Sequence, residues 1–147
     1  MLTISGPRAF AGQHEGDKQM AKATESKEKI PEVLIILSSD SLQTQGMAMV
    51  LSHSMLEMDT KVNVLLCDKA GDLALENSQS YLMKPKNVSP KMLLKKLKGK
   101  GALVTVCALY LPNNDYSQAD LLEGVEVAKP DDISSLMTNP RVRVFTF

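Results

Sequence analysis

Three short runs of uninterrupted apolar residues constrain this chain more than anything else in it. They are Val33-Leu34-Ile35-Ile36-Leu37, Val62-Asn63-Val64-Leu65-Leu66-Cys67 and Gly101-Ala102-Leu103-Val104-Thr105-Val106-Cys107. An antiparallel strand with one wet face alternates apolar and polar residues, whereas a strand covered on both faces reads as a continuous run rich in β-branched residues. Runs of this length, separated by stretches of helical character, point to a parallel sheet with helical crossovers.

The segments between the runs carry the helical signals. Ser38-Ser39-Asp40-Ser41 is a turn with several candidate N-caps. After it, Met47, Val50, Leu51, Ser54, Met55 and Met58 recur at the spacing of one helix face, which predicts that this face is buried. The turn Asp68-Lys69-Ala70-Gly71 follows the second run, with a short helix expected within Asp72 to Gln79. Ser89-Pro90 is a helix start, with proline at the first helical position. Met92, Leu93 and Leu97 give that helix an apolar side, and Lys91, Lys95, Lys96, Lys98 and Lys100 read as its solvated face and end. Beyond the third run come a loop and short helix in Leu111 to Glu123, a strand at Val125-Glu126-Val127, a helix from Asp131 through Met137 and a last strand at Val142-Arg143-Val144-Phe145. The expected fold is a three-layer α/β/α sandwich around a five-stranded, mostly parallel sheet.

Residues 1–31 differ in kind. Gly12 to Pro31 holds Asp17, Lys18, Lys22, Glu25, Lys27, Glu28 and Lys29 but only Met20 and Ile30 as large apolar residues. Such a segment cannot offset its ordering entropy by burial, so a polar, flexible tail is expected, followed by one domain over 32–147. Ala9-Phe10-Ala11 has the form of a signal-peptidase site, yet Met1 to Arg8 supplies neither a basic start nor an apolar stretch of about seven residues. A cytoplasmic protein is expected, a periplasmic one if the start is the remnant of a longer leader.

Composition removes whole function classes. The 147 residues carry 17 basic and 17 acidic side chains, so no electrostatic case exists for nucleic acid or an anionic membrane as partner. Tryptophan is absent and aromatics make up 4%, which argues against a base-stacking or sugar-binding platform. Neither G-x-G-x-x-G nor the P-loop pattern occurs, and the Ser38–Thr44 turn has no glycine to admit a phosphate closely, so a flavin or nucleotide binder of the flavodoxin kind is disfavoured. No C-x-x-C or Cys/His cluster suggests a metal, and no organic cofactor is expected.

The chemistry-bearing candidates are therefore few. Cys107 closes the third run, at the carboxyl end of a predicted strand, where open α/β sheets place ligands and reacting groups. Free cysteine is also among the most buried residue types, so position alone leaves catalysis and packing open. A reactive thiol needs a lowered pKa and partial exposure, and the next cation along the chain is Lys129. Cys67 occupies the equivalent place on the second run, but Asp68 beside it raises a thiol's pKa, which favours a structural role. A Cys67–Cys107 disulfide requires neighbouring strands in suitable register. His53, alone on its helix, reads as a packed or surface residue, and His14 lies in the tail. The methionines Met47, Met49, Met55 and Met58 read as core or oligomer interface.

Taken together, Val33 to Asp40, Val62-Asn63-Val64-Leu65-Leu66 entering Asp68-Lys69-Ala70-Gly71-Asp72-Leu73-Ala74-Leu75, Val104-Thr105-Val106-Cys107-Ala108-Leu109-Tyr110 and Asp120-Leu121-Leu122-Glu123-Gly124-Val125 give an order and spacing that resembles the DsrE/DsrF-like sulfur-relay family over about residues 32–147. The resemblance implies a compact α/β/α fold, trimers or hexamers of one chain, and neither metal nor organic cofactor. It also implies a persulfide-carrying cysteine at the end of this strand, which here is Cys107, working with sulfur-donor and acceptor proteins. In place of the small/basic pair that often follows that cysteine, this chain has Leu111-Pro112-Asn113-Asn114. The alternative is a non-catalytic oligomeric interaction module whose cysteines are structural.

Overall fold

A computed structural model of the chain describes Gly6 and residues 31–147, so the features expected of the tail, Ala9-Phe10-Ala11 and His14 among them, lie outside the described residues. Five strands form one sheet: β1 (Glu32–Leu37), β2 (Lys61–Leu66), β3 (Leu103–Val106), β4 (Glu126–Val127) and β5 (Val142–Thr146). Their order is β4-β3-β2-β1-β5 and every neighbouring pair is parallel. The expected α/β sandwich is thus present, with the sheet parallel throughout.

The crossovers explain the order. α1 (Leu42–Glu57) joins β1 to β2 and α2 (Pro90–Gly99) joins β2 to β3. Both lie on one face, where Val33, Ile35, Leu37, Val64, Leu66 and Val106 pack against Met49, Leu94 and Leu97 to form the main core. The short helix α3 (Tyr110–Asn113) and the segment leading to β4 remain on that face, through Tyr110, Leu111, Leu121 and Leu122. α4 (Pro130–Thr138) then crosses back over the opposite face to β5, covering Leu34, Leu65 and Ala128 with Ile133 and Leu136. β3 and β4 therefore send their connections to opposite faces, the arrangement at whose carboxyl ends open α/β sheets place their ligands.

Local chemistry fixes the helix ends. Ser41 caps α1 by accepting the Thr44 amide at 3.4 Å, while Ser39 Oγ accepts the Ser41 amide at 3.1 Å. The Ser38–Thr44 turn is a cap: the Ser39 and Ser41 hydroxyls accept its own amides, and Ser38 Oγ donates to the Phe147 carbonyl at 3.3 Å. Ser89 caps α2 through the Met92 amide at 3.2 Å, with Pro90 at the first turn.

Two expectations are corrected. α1 buries Gln45, Gly46, Ala48, Met49 and Ser52, while Met47, Val50, Leu51 and Met58 are exposed. Small residues win because α1 approaches its surroundings closely: a Cβ on Gly46 would overlap the Met83 side chain. The apolar spacing at 47, 50, 51 and 58 thus marks a surface, not the core. Lys91 likewise leaves the solvated row. It is buried, and its Nζ donates to the Leu75, Glu76 and Ser78 carbonyls and to Ser78 Oγ, pinning the loop after β2 to the start of α2. Burial lowers its pKa, with Lys95 adding to the effect.

Candidate functional site

The carboxyl ends of β2 and β3 bring both cysteines together. Cys107 follows Val106 at the end of β3 and its amide donates to the Leu66 carbonyl at 2.8 Å, continuing the ladder one step past the Leu66–Val106 pair. That step aligns Cys107 with Cys67 on β2. On the other side the Ala128 amide donates to the Val106 carbonyl at 2.8 Å, which aligns Ala128 with Cys107 and sets exposed Lys129 one residue farther on. The cation that is 22 residues away in sequence is thus carried to the neighbouring strand end by strand pairing.

Both thiols are free and half-buried, and both pack on the cluster of Leu34, Leu65 and Ala128 under α4. Cys67 is pushed up to about 11, chiefly by burial, then by the charge of and a hydrogen bond with Cys107, with Asp68 contributing least. Sequence reasoning had the direction right and assigned it to Asp68; the neighbouring thiol and desolvation are the larger causes. Near neutral pH Cys67 is accordingly a protonated thiol.

The turns that follow the two cysteines interlock. A 3₁₀ segment, Asp68–Ala74, starts directly after Cys67, and Tyr110 stands three residues after Cys107 with its amide on the Cys107 carbonyl at 2.9 Å. The Tyr110 ring lies against the Gly71 backbone, where a Cβ would overlap it, and its hydroxyl donates to Asp72 Oδ1. Burial foremost, then Asp72, raises the Tyr110 phenol well above its ordinary value, so it stays a neutral donor. Tyr116 stacks on the same ring with centroids 6.1 Å apart. Farther along, the Glu76 amide donates to Asp120 O and the Leu122 amide to Ala74 O, a second tie between the segments that leave β2 and β3. The clasp of Gly71, Asp72 and Tyr110 fixes the two strand ends relative to each other. No periodicity in the sequence announces it, although both halves lie within five residues of a cysteine.

Other candidates fall elsewhere. His53 Nε2 donates to the Leu93 carbonyl at 2.9 Å and ties α1 to α2, a packing role. It lines an open groove of about 860 Å³ between those helices and the 82–86 loop, together with Gly46, Met47, Val50, Leu82 and Lys96. Among the described residues no group of three or more His, Cys, Asp or Glu side chains is arranged to hold a metal ion, and no helix is long and apolar enough to cross a membrane.

No protein-family model and no curated protein matches the sequence. Solved structures do match in three dimensions. The ychN protein from E. coli superposes with a TM-score of 0.63 at 16% identity, over 79% of this chain and 97% of that one. The protein of unknown function MTH1491 from Methanobacterium thermoautotrophicum gives 0.61 at 16% identity, over 79% of this chain and 98% of its own. The fold is shared. At this identity the neighbours bear on the fold alone, an α/β architecture around a five-stranded parallel sheet.

Proposed function

We propose that this chain handles sulfane sulfur, with Cys107 as the carrier thiol. The observation that supports it best is the position of Cys107, half-buried at the strand end where β3 and β4 send their connections to opposite faces, in register with Cys67 on β2. The Cys107 thiolate attacks the outer sulfur of a persulfide donor, the donor's S–S bond breaks, and the donor thiolate leaves. A partner's thiolate then attacks the outer sulfur now on Cys107, and the Cys107 thiolate is returned. The Cys67 S–H supplies a hydrogen bond to the thiolate in both states where it is free, and charge-assisted bonds of this kind are the stronger ones. Half-burial suits the intermediate, because access governs both the exchange rate and the loss of sulfur to water-borne thiols.

The test is intact mass spectrometry after incubation with a sulfane donor and removal of excess. One added sulfur on the wild type, mapped to Cys107 and absent in Cys107→Ser, is the expected result. An unmodified wild type, or an equal adduct on Cys107→Ser, contradicts the proposal.

A second reading, that the chain also self-associates, is favoured by the exposed apolar residues on α1 and beside it: Met47, Val50, Met58 and Leu82. Contiguous exposed apolar surface marks interaction sites. Light scattering should show an oligomer that Val50→Asp converts to monomer; an unchanged mass for the variant, or a monomeric wild type, counts against it.

A further inference from the structure

The pairing of the two cysteines carries a consequence independent of sulfane chemistry. Cys67 and Cys107 stand one step past Leu66 and Val106, on neighbouring parallel strands and in register. Such strands lie about 4.8 Å apart, inside the window of about 4.4–6.8 Å that a disulfide accepts between Cα atoms. Both side chains leave the sheet toward α4, since both pack on Leu34, Leu65 and Ala128. Neither is sealed from solvent. Each cysteine directly follows the last residue of its strand, and the clasp of Gly71, Asp72 and Tyr110 holds the two strand ends side by side.

We infer that Cys67 and Cys107 form a reversible dithiol–disulfide couple that exchanges with small-molecule disulfides, Cys107 attacking first and Cys67 resolving. In the first step the Cys107 thiolate attacks one sulfur of a disulfide RSSR, the S–S bond breaks, and RS⁻ leaves, giving a mixed disulfide on Cys107. In the second, Cys67 gives its proton to a departed thiolate, attacks Cys107 Sγ and expels the second RS⁻. Two protein thiols are oxidised and one small disulfide is reduced to two thiols. A dithiol reductant reverses the sequence. The division of labour follows from the site. Strand pairing sets Lys129 one residue past Ala128, the partner of Cys107, whereas Asp68 follows Cys67 directly; a nearby cation favours a thiolate and a carboxylate disfavours it, and Cys67 becomes the attacking group once a sulfur substituent on Cys107 places an electrophile beside it. Holding the two sulfurs together makes that second step intramolecular, the condition under which effective molarities become large. The same displacement on a Cys107 persulfide releases HS⁻ and closes the same disulfide, so oxidation of the pair blocks sulfur loading.

The experiment uses the reduced full chain, glutathione disulfide in mildly alkaline buffer, and non-reducing peptide mapping with no sulfane donor present. It therefore reads this inference separately from sulfur carriage. The wild type should become a monomer two hydrogens lighter, with Cys67 and Cys107 linked and no glutathione retained. Cys67→Ser, and Cys67→Ala as a second variant shown folded by circular dichroism, should stop at one glutathione on Cys107, with an adduct lifetime at least about 100-fold longer than in the wild type. A wild type that keeps a stable glutathione adduct, links only between chains or stays reduced overturns the inference. So does a Cys67 variant that sheds its adduct at the wild-type rate.

Discussion

Gly71→Ala strikes the clasp that holds the two cysteine-bearing strand ends together. A Cβ there would lie within 2.7 Å of Tyr110 Cγ and closer still to the ring edge, against about 3.5–4.0 Å for relaxed carbon contacts. The ring cannot step aside freely. Its backbone amide is bonded to Cys107 O, its hydroxyl to Asp72, and Tyr116 stacks on it. Overpacking of this kind costs about 1–3 kcal/mol. If the ring moves, the Tyr110–Asp72 bond is lost at about 1 kcal/mol more. The stiffer unfolded chain returns about 0.4–1 kcal/mol. The net loss is about 2 kcal/mol, which for a domain of this size lowers Tm by about 6–10 °C. Thermal melts followed by circular dichroism measure it. Tyr110→Leu should relieve the clash, so that adding Gly71→Ala to that background costs under about 0.5 kcal/mol. A Gly71→Ala protein that melts at or above the wild-type temperature refutes the steric argument, and additive losses refute the assignment to Tyr110.

Further predictions follow from the polar contacts. Lys91→Met takes the ammonium from the Leu75, Glu76 and Ser78 carbonyls, of which Leu75 O keeps Ser78 Oγ at 3.2 Å; against this, the cost of burying the ammonium is removed. The lost bonds should win by about 2 kcal/mol in urea unfolding, and an equally stable variant would show that desolvation outweighs them. Ser89→Ala removes the α2 cap and should cost about 1 kcal/mol by the same assay, with no change taken as a contradiction. Cys67 has a folded pKa raised from 9.0 to about 11, so between those values the unfolded chain binds fewer protons and stability falls as pH rises. Urea midpoints across that window should fall less in Cys67→Ala than in the wild type; parallel curves would contradict the assignment.

The sheet was legible because burial on both faces writes itself as unbroken apolar runs. Val33–Leu37 and Val62–Leu66 are almost entirely buried, and the strands and their order along the chain match the reading. The α1 face was misread because its contact depends on closeness. Gly46, Ala48 and Ser52 let the helix approach, and small residues carry little weight in a hydrophobic pattern, whereas exposed Met47, Val50 and Met58 carry much. Lys91 could not be told from Lys95 or Lys96 by type; only the carbonyls of the folded 75–78 loop distinguish it. At the site, each cysteine could be placed at a strand end, but their adjacency depends on strand order, and that order is set by crossovers far from either residue. The same holds for Lys129 and for the meeting of Tyr110 with Gly71 and Asp72.

On the proposed function the neighbouring strand ends hold two unequal thiols, Cys107 the reacting one and Cys67 its protonated neighbour. Site-resolved alkylation of the native full chain across pH, quantified by peptide mass spectrometry, tests it directly. Cys107 should label first at mildly alkaline pH, with Cys67 labelling rising only as pH approaches about 11. Labelling of Cys67 at or above the rate of Cys107 near neutral pH would contradict the account.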